Sequence, residues 1–407
     1  MTQTIKVIGA GFSGLTTAYF LVKHGFKVRI VERSNRAGGL IETIQTEHGL
    51  VEKAANGILN SAKLEAMARD IGVPLQPTRR EGRKRFIYRG RPRQIPLTPS
   101  EIIKVGALVA THAASLKPRP LESISHWGRR VLGTAATDYL LVPAIGGIYA
   151  GDPDQLSASL IFGKANLPDH LVTNKPEKGK LRGTVAPPRG MQQLTDGLRD
   201  WLKQAGVEFV FNYDWNCGKH ASEPTVVCLS ANAAAEYLTD VAPTVSERLR
   251  RIGMLSLVTA TAFYGQDSAR LNGFGCLFPR DQGFRARGVL FNNSIFEGRG
   301  PAHSETWIFG GALDSEIVDF TDEQLGELIA DEREKFYGRR DEPLALYVNR
   351  RPHAIPHYTI ELEKILTTLP EPSAHVWLGG NYLGRIGLAK LIERAAVVAK
   401  GCRDRLR

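Results

Sequence analysis

Short apolar runs broken by glycine-bearing turns alternate along this chain with stretches whose apolar residues return every three to four positions. Ile5, Val7 and Ile8 form a run of the kind that builds a buried parallel strand. Gly9-Ala10-Gly11-Phe12-Ser13-Gly14 ends it, and Leu15, Ala18, Tyr19 and Val22 then recur at helical spacing. Gly25 closes that helix, residues 27–31 read as the next strand, and Glu32 ends it. Further on, residues 42–50 predict a strand and turn and 61–71 a helix. The stretch KRFIYRGRPRQIP alternates like two short strands around Gly90. From Pro99 the pattern turns helical, with Ile102, Ile103, Val105, Leu108 and Val109 in one segment that fades near Leu116. That segment, flanked by Lys104, Lys117 and Arg119, fits either a buried helix, the commoner outcome, or one lying in a membrane interface. Residues 120–163 also read as helical, with Trp127, Val131, Leu132, Tyr139 and Leu140 as contacts. Residues 190–211 predict helix then strand, and 224–232 a buried strand with a small-residue turn. Residues 252–316 predict a sheet, and 321–336 an amphipathic helix capped by Thr321 or Asp322. The end of the chain predicts strand, glycine turn and helix.

The order strand, glycine turn, helix, strand, acid gives each residue of the first motif a physical task. Gly9 allows the tight turn, Gly11 lets backbone approach a pyrophosphate, and Gly14 lets helix and strand pack closely. The helix N-terminus, at Phe12 and Ser13, faces phosphate charge, and Glu32 can accept hydrogen bonds from a ribose. This spacing alone fits NAD or FAD. The residues just beyond Glu32, namely Arg33, Arg36 and Gly38-Gly39-Leu40, resemble the extended fingerprint of FAD proteins with the glutathione-reductase type of dinucleotide fold. There a second glycine pair lets the chain pass close to the cofactor.

Length and composition narrow the class. At 407 residues, with 43% hydrophobic and 23% charged residues, the chain is expected to form two or three domains with a sizeable core. No run of about 18 apolar residues predicts a membrane span, and the N-terminus enters the first strand directly, so no leader is expected. Cys217, Cys228, Cys276 and Cys402 lack metal or redox spacing and read as reduced thiols of a cytoplasmic protein. The net charge of +11 suits an anionic partner. Much of the excess crowds residues 79–93, where most of the arginines read as a solvated loop. No nucleic-acid-binding motif accompanies it. Among the histidines, His353 and His357 are four apart, but Pro356 between them forbids a shared helical face. No metal site or catalytic triad is expected.

Several separated segments then resemble the protoporphyrinogen oxidase family, within the larger amine-oxidase and phytoene-desaturase group of flavoproteins. GGIYAGDPDQLS (146–157) is similar to the family's Gly-Val-Tyr-Ala-Gly-Asp-Pro segment. GFGCLFPRDQGFRARGVLFNNSIF (273–296) resembles its Gly-Phe-Gly-x-Leu-x-Pro run and the following strand. HAIPHYT (353–359) resembles its Ala-Ile-Pro-Gln-Tyr motif, and LGGNYLGRIGLAKLIERA (378–395) its C-terminal flavin segment. The resemblance implies an α/β fold: a glutathione-reductase-type, Rossmann-like FAD-binding domain from residues 1–62, 189–240 and 371–407. A mostly β substrate domain would take 63–97 and 241–370, and a helical insertion, the membrane-associated part in some relatives, 98–164. Residues 165–188 would connect them. It implies porphyrinogen oxidation in haem biosynthesis, with electrons passing through FAD to molecular oxygen and hydrogen peroxide as product.

By the same resemblance, Gly9, Gly11, Phe12, Ser13, Gly14, Glu32, Arg33, Gly38, Gly39 and Leu40 would hold the adenine half and pyrophosphate, with Val207 touching the adenine side. Gly380, Asn381, Tyr382 and Ile386 would lie near the isoalloxazine. No side chain is expected to be catalytic, since the flavin carries the chemistry. Arg85, in KRFIY, would pair with a substrate propionate, and Leu277 and Ile308 would line the macrocycle pocket. The chain departs from the family at three places. Lys53-Ala54-Ala55-Asn56 follows Glu52 where a glycine-proline pair is usual, Arg385 replaces a glycine near the flavin, and Cys276 occupies a histidine-like position. Coproporphyrinogen oxidation, amine oxidation or carotenoid desaturation on the same fold stay open. So does a flavin- or porphyrin-binding protein without turnover.

Overall fold

In the computed structural model, residues 3–111, 115–173, 175–213, 223–384 and 386–406 are described. Arg385 and Cys217, singled out above, lie outside them. A five-stranded parallel sheet forms the first layer. Its order runs Glu208–Val210, Lys27–Val31, Thr4–Ile8, Thr225–Val227, Val376–Leu378. Ile5, Val7 and Ile8 at its centre are almost wholly buried, which their near-continuous apolar sequence requires of a strand covered on both faces. The opening helix, Phe12–Lys23, packs on this sheet through Leu15, Ala18, Tyr19 and Leu21, while Val22 is only half-buried. Gly25, at φ +81, ends the helix in the left-handed region that a side chain resists. The closing helix, Leu388–Leu406, lies against the opening one, so the two ends of the chain share one core.

A seven-stranded sheet forms the second layer, in the order Ala345–Pro356, Met254–Tyr264, His303–Gly310, Gly288–Phe291, Gly275–Leu277, Arg85–Tyr88, Pro92–Arg93. Its members are antiparallel neighbours except Gly275–Leu277 and Arg85–Tyr88, which run parallel. The two short strands around Gly90 (φ +68) are the last pair of this sheet. Helix Asp322–Tyr337 covers part of it, started by a reciprocal cap between Thr321 and Gln324.

Between the layers in sequence come helices Pro99–Thr111, Ile124–Leu132 and Val142–Tyr149. The first corrects an expectation. It has no buried residue, and Ile102 and Ile103 are 46% and 72% exposed. Its neighbours cover one side only, where the Leu108 side chain lies against Gly133. Helical structure over 120–163 is interrupted where residues 150–157 form a loop, with Ala150 at φ +48. The longest strand among the described residues, Ala345–Pro356, is missing from the sequence reading. Pro352 and the basic residues Arg350, Arg351 and His353 inside the strand hide its alternation.

Candidate functional site

The first turn of the chain builds one end of a cavity of about 650 Å3. Gly9 has φ +99, and a Cβ there would stand 2.6 Å from the Cys228 carbonyl oxygen. Gly11 begins the opening helix with no side chain capping its first turn, so the N–H groups there face the cavity uncovered. The second glycine pair closes over the first. Gly38 N–H donates to the Ala10 carbonyl, and Gly39, at φ +60, approaches so closely that a Cβ would lie 2.9 Å from Gly11 Cα. Arg36 holds this second turn by donating to the Gly39 carbonyl and to Glu42, at 2.7 and 3.0 Å.

Glu32 lines the same end. One carboxylate oxygen accepts from Ala10 N–H at 2.7 Å, and the other from the N–H and hydroxyl of Ser34, each at 2.9 Å. Ser13 Oγ is buried without a hydrogen-bond partner among the described residues. A side-chain-free cradle, an uncapped helix N-terminus, an orphaned hydroxyl and a carboxylate at the strand end are the donor set a dinucleotide needs. These residues fit FAD.

The other end of the cavity is the face of the seven-stranded sheet. Asn349 Nδ2 donates to the Lys53 carbonyl at 2.5 Å and to Thr259 Oγ1 at 3.4 Å. Both side chains belong to one row across the sheet, in which Leu277, Gly288, Ile308, Thr259 and Asn349 pair in succession. Residues paired across a sheet share a face. Leu277 and Ile308 therefore stand on the face that Thr259 and Asn349 turn to the cavity, beyond its wall. Gly288, between them, keeps that face shallow. Lys53, also in the wall, is bonded to Glu42 at 2.8 Å, and this bond is the largest influence holding the Glu42 carboxyl below the usual range.

Three of the motif segments converge behind this floor. Tyr149 packs against Tyr358 with rings 5.1 Å apart, and the Asp152 N–H donates to His357 Nε2 at 3.3 Å. Burial lowers the His357 pKa, which suits an imidazole accepting a hydrogen bond. The Tyr358 hydroxyl in turn donates to the Asn381 carbonyl, so the loop at 150–157 and the C-terminal segment are tied through one tyrosine.

Of the residues picked from sequence, Gly9, Gly11, Phe12, Ser13, Glu32 and Arg33 stand in the cavity wall. Gly38, Gly39, Leu40, Gly380, Asn381 and Ile386 complete that set. Gly14, Val207 and Tyr382 stand outside it. Gly14 meets the Gly9 backbone, where a Cβ would fall 1.8 Å from the carbonyl oxygen. Val207 is packed in the core beside the parallel sheet. Tyr382 is wholly buried, with the ring against Gly380, and burial raises the phenol pKa. Arg85 also stands outside the wall. It shares the Leu277 face but one row away, paired with Gly275, and its guanidinium lies 4.1 Å from the Phe274 ring centre. The sequence reading omitted Thr259, Asn349 and Arg351, all in the wall. Cys228, Cys276 and Cys402 are free and buried, and burial pushes the Cys228 thiol up to about 11.

Residues 12–214 match the family model of flavin-containing amine oxidoreductases. The chain is 26% identical to a chloroplastic protoporphyrinogen oxidase of Nicotiana tabacum, over 97% of this chain and 84% of that one. It is 20% identical to a coproporphyrinogen III oxidase of Bacillus subtilis, with 96% of each chain covered. The structure is similar to cyclohexylamine oxidase from Brevibacterium oxydans at a TM-score of 0.72 and 16% identity, over the whole of both chains.

Proposed function

We propose that this chain, an FAD-dependent oxidoreductase of the amine-oxidase superfamily, oxidises protoporphyrinogen IX to protoporphyrin IX in haem biosynthesis. The macrocycle loses six electrons and six protons, and three molecules of oxygen become three of hydrogen peroxide. Bound FAD supplies the acceptance of electron pairs from the substrate.

The observation that carries this reading is the row of paired residues running from the cavity wall to Leu277. Thr259 and Asn349 sit at the flavin end, and Ile308, Gly288 and Leu277 extend the same face. A partly apolar face of that kind, closed at its Leu277 end by the helix that carries Gly147, suits a tetrapyrrole beside a flavin and keeps water away from the reacting carbon. The chain's own residues thus do the binding and orienting. The glycine turns and Glu32 hold the dinucleotide, Gly380 and Asn381 border the ring end, and Arg85 meets a propionate from the far end of the substrate face. The domain limits read from the sequence are retained in this proposal. The exposed apolar helix Pro99–Thr111 is assigned to peripheral contact with a membrane surface, and among the described residues no helix is long and apolar enough to cross one.

A second reading is favoured by the full-length likeness to the Bacillus subtilis enzyme: the same oxidation on coproporphyrinogen III. Anaerobic mixing of FAD-loaded protein with each porphyrinogen, followed by flavin absorbance, separates the two. Rapid bleaching by protoporphyrinogen, reversed by air as porphyrin fluorescence appears, is the expected result. Bleaching only by coproporphyrinogen would transfer the assignment, and an unchanged flavin with both would end it.

A further inference from the structure

Arg351 lies where the strand Ala345–Pro356 leaves its regular pairing. Leu255 pairs with Ile355 and Leu257 with Arg351, so Ser256 alone faces Pro352, His353 and Ala354. His353 sits at φ +55, a left-handed conformation that a non-glycine residue resists. Bulges turn side chains away from the regular face, and Arg351, Pro352, His353, Ala354 and Ile355 all line the cavity.

The two adjacent arginines of this strand are treated differently. Arg350 is bound by Asp322 at 2.6 Å and by the Phe320 carbonyl. The Nε of Arg351 is shielded from solvent without any hydrogen-bond partner among the described residues. Glu42, whose carboxyl feels the Arg351 charge, is already bonded to Lys53 on one oxygen and Arg36 on the other. A buried guanidinium N–H without an acceptor is costly, and the fork of donors around it matches a carboxylate or phosphate.

We propose that Arg351 is an anion subsite of the flavin cavity, taking an anionic oxygen group that is either a carboxylate of the porphyrin or the diphosphate of the dinucleotide. Only the first source rests on the porphyrinogen reading. The test compares the parent protein with Arg351→Gln and Arg351→Lys, each first checked for an unchanged melting temperature. Apoprotein is titrated with FAD by flavin fluorescence quenching. Holoprotein is titrated with coproporphyrin III and with its tetramethyl ester by porphyrin fluorescence quenching.

A charge-assisted hydrogen bond is large enough to change a dissociation constant by about tenfold or more. Loss of that size for coproporphyrin but not its ester in Arg351→Gln, with partial recovery in Arg351→Lys, supports the subsite and assigns a carboxylate. Loss confined to FAD supports it and assigns the diphosphate. Parent-like binding of every probe by Arg351→Gln overturns the proposal, as does equal loss of all probes by both variants, which marks a folding effect. If the parent binds no porphyrin, the porphyrinogen reading falls and the FAD titration alone decides Arg351.

Discussion

Gly11→Ala separates the needs of the protein from the needs of its cofactor. At Gly11 the backbone is extended, with φ −69 and ψ 177, so any residue adopts it without strain. A Cβ there would meet only Gly39 Cα, at 3.8 Å, an ordinary van der Waals contact. Alanine is a poorer helix N-cap than glycine by roughly 0.5–1 kcal/mol, and it restrains the unfolded chain by about 0.4–1 kcal/mol. The two nearly cancel, so the melting temperature of the apoprotein should move by no more than about 2 °C. The same methyl group, however, projects from the uncapped helix start into the cavity, where a phosphate must come against the backbone. Overpacking of one methyl in a tight contact costs about 1–3 kcal/mol, which weakens binding by about 5- to 150-fold. The assay is titration of apoprotein with FAD, followed by quenching of flavin fluorescence, beside thermal melts without cofactor. Gly14→Ala is the control. Its Cβ would fall 1.8 Å from the Gly9 carbonyl oxygen, so it should disrupt the apoprotein itself. If Gly11→Ala bound FAD as tightly as the parent, the close approach of cofactor to this turn would be refuted.

Three further outcomes can be checked. Arg85→Ala should weaken porphyrinogen affinity by about tenfold while leaving FAD affinity unchanged, and equal affinity for porphyrinogen would remove its propionate role. Burial pushes the Glu332 carboxyl up to about 7, despite the N–H groups of Arg285 and Ala286 that favour its ionised form. A carboxyl whose pKa is raised on folding stabilises the fold most below its ordinary value near 4.5, and that advantage is lost as pH rises through 7. The loss is up to about 3 kcal/mol, and Glu332→Gln should flatten this limb of denaturant-derived stability against pH. An unaltered limb would show that Glu332 does not cause it. Neutralising Lys104, Lys117 and Arg119 together should abolish binding to anionic lipid vesicles, and a parent protein that binds no vesicles would end the membrane assignment.

Local patterns made the dinucleotide end legible, because its elements are contiguous. The run Ile5 to Ile8, the glycine turn, the helix ended by Gly25 and the strand ended by Glu32 each arise from short-range physics. Tyr382 shows where contiguity misleads. It adjoins Gly380 and Asn381 in sequence, yet the turn at Gly380 (φ +133) sends its ring into the core and leaves its two neighbours at the cavity. The sheet end was harder to read. Thr259 and Asn349 become a pair only through a register between residues ninety positions apart. The strand carrying Asn349 and Arg351 contains Pro352, a residue that argues against a strand unless a bulge accommodates it. Helix Pro99–Thr111 was legible only to two outcomes, burial as the commoner or a membrane interface, and the neighbours that leave Ile102 and Ile103 uncovered exclude the first.

The departure after Glu52 joins scaffold to chemistry. Glu52 itself is buried, and its carboxylate accepts from Arg299 at 2.9 Å and from Thr43 Oγ1 and Met191 N–H, each at 2.8 Å. Arg299 and Met191 come from distant parts of the chain, and removing this carboxylate would leave Arg299 buried with its charge uncompensated. Lys53, Ala54 and Ala55, which follow Glu52, are in the cavity wall instead. The Lys53 carbonyl receives the Asn349 amide, and its ammonium group engages Glu42, which Arg36 also holds. This stretch therefore sets a buried, anchored carboxylate directly before a cation beside the cavity. With Glu42 shared between Lys53 and Arg36, Arg351 keeps its charge for the cavity, which connects this part of the wall to the anion subsite proposed for Arg351.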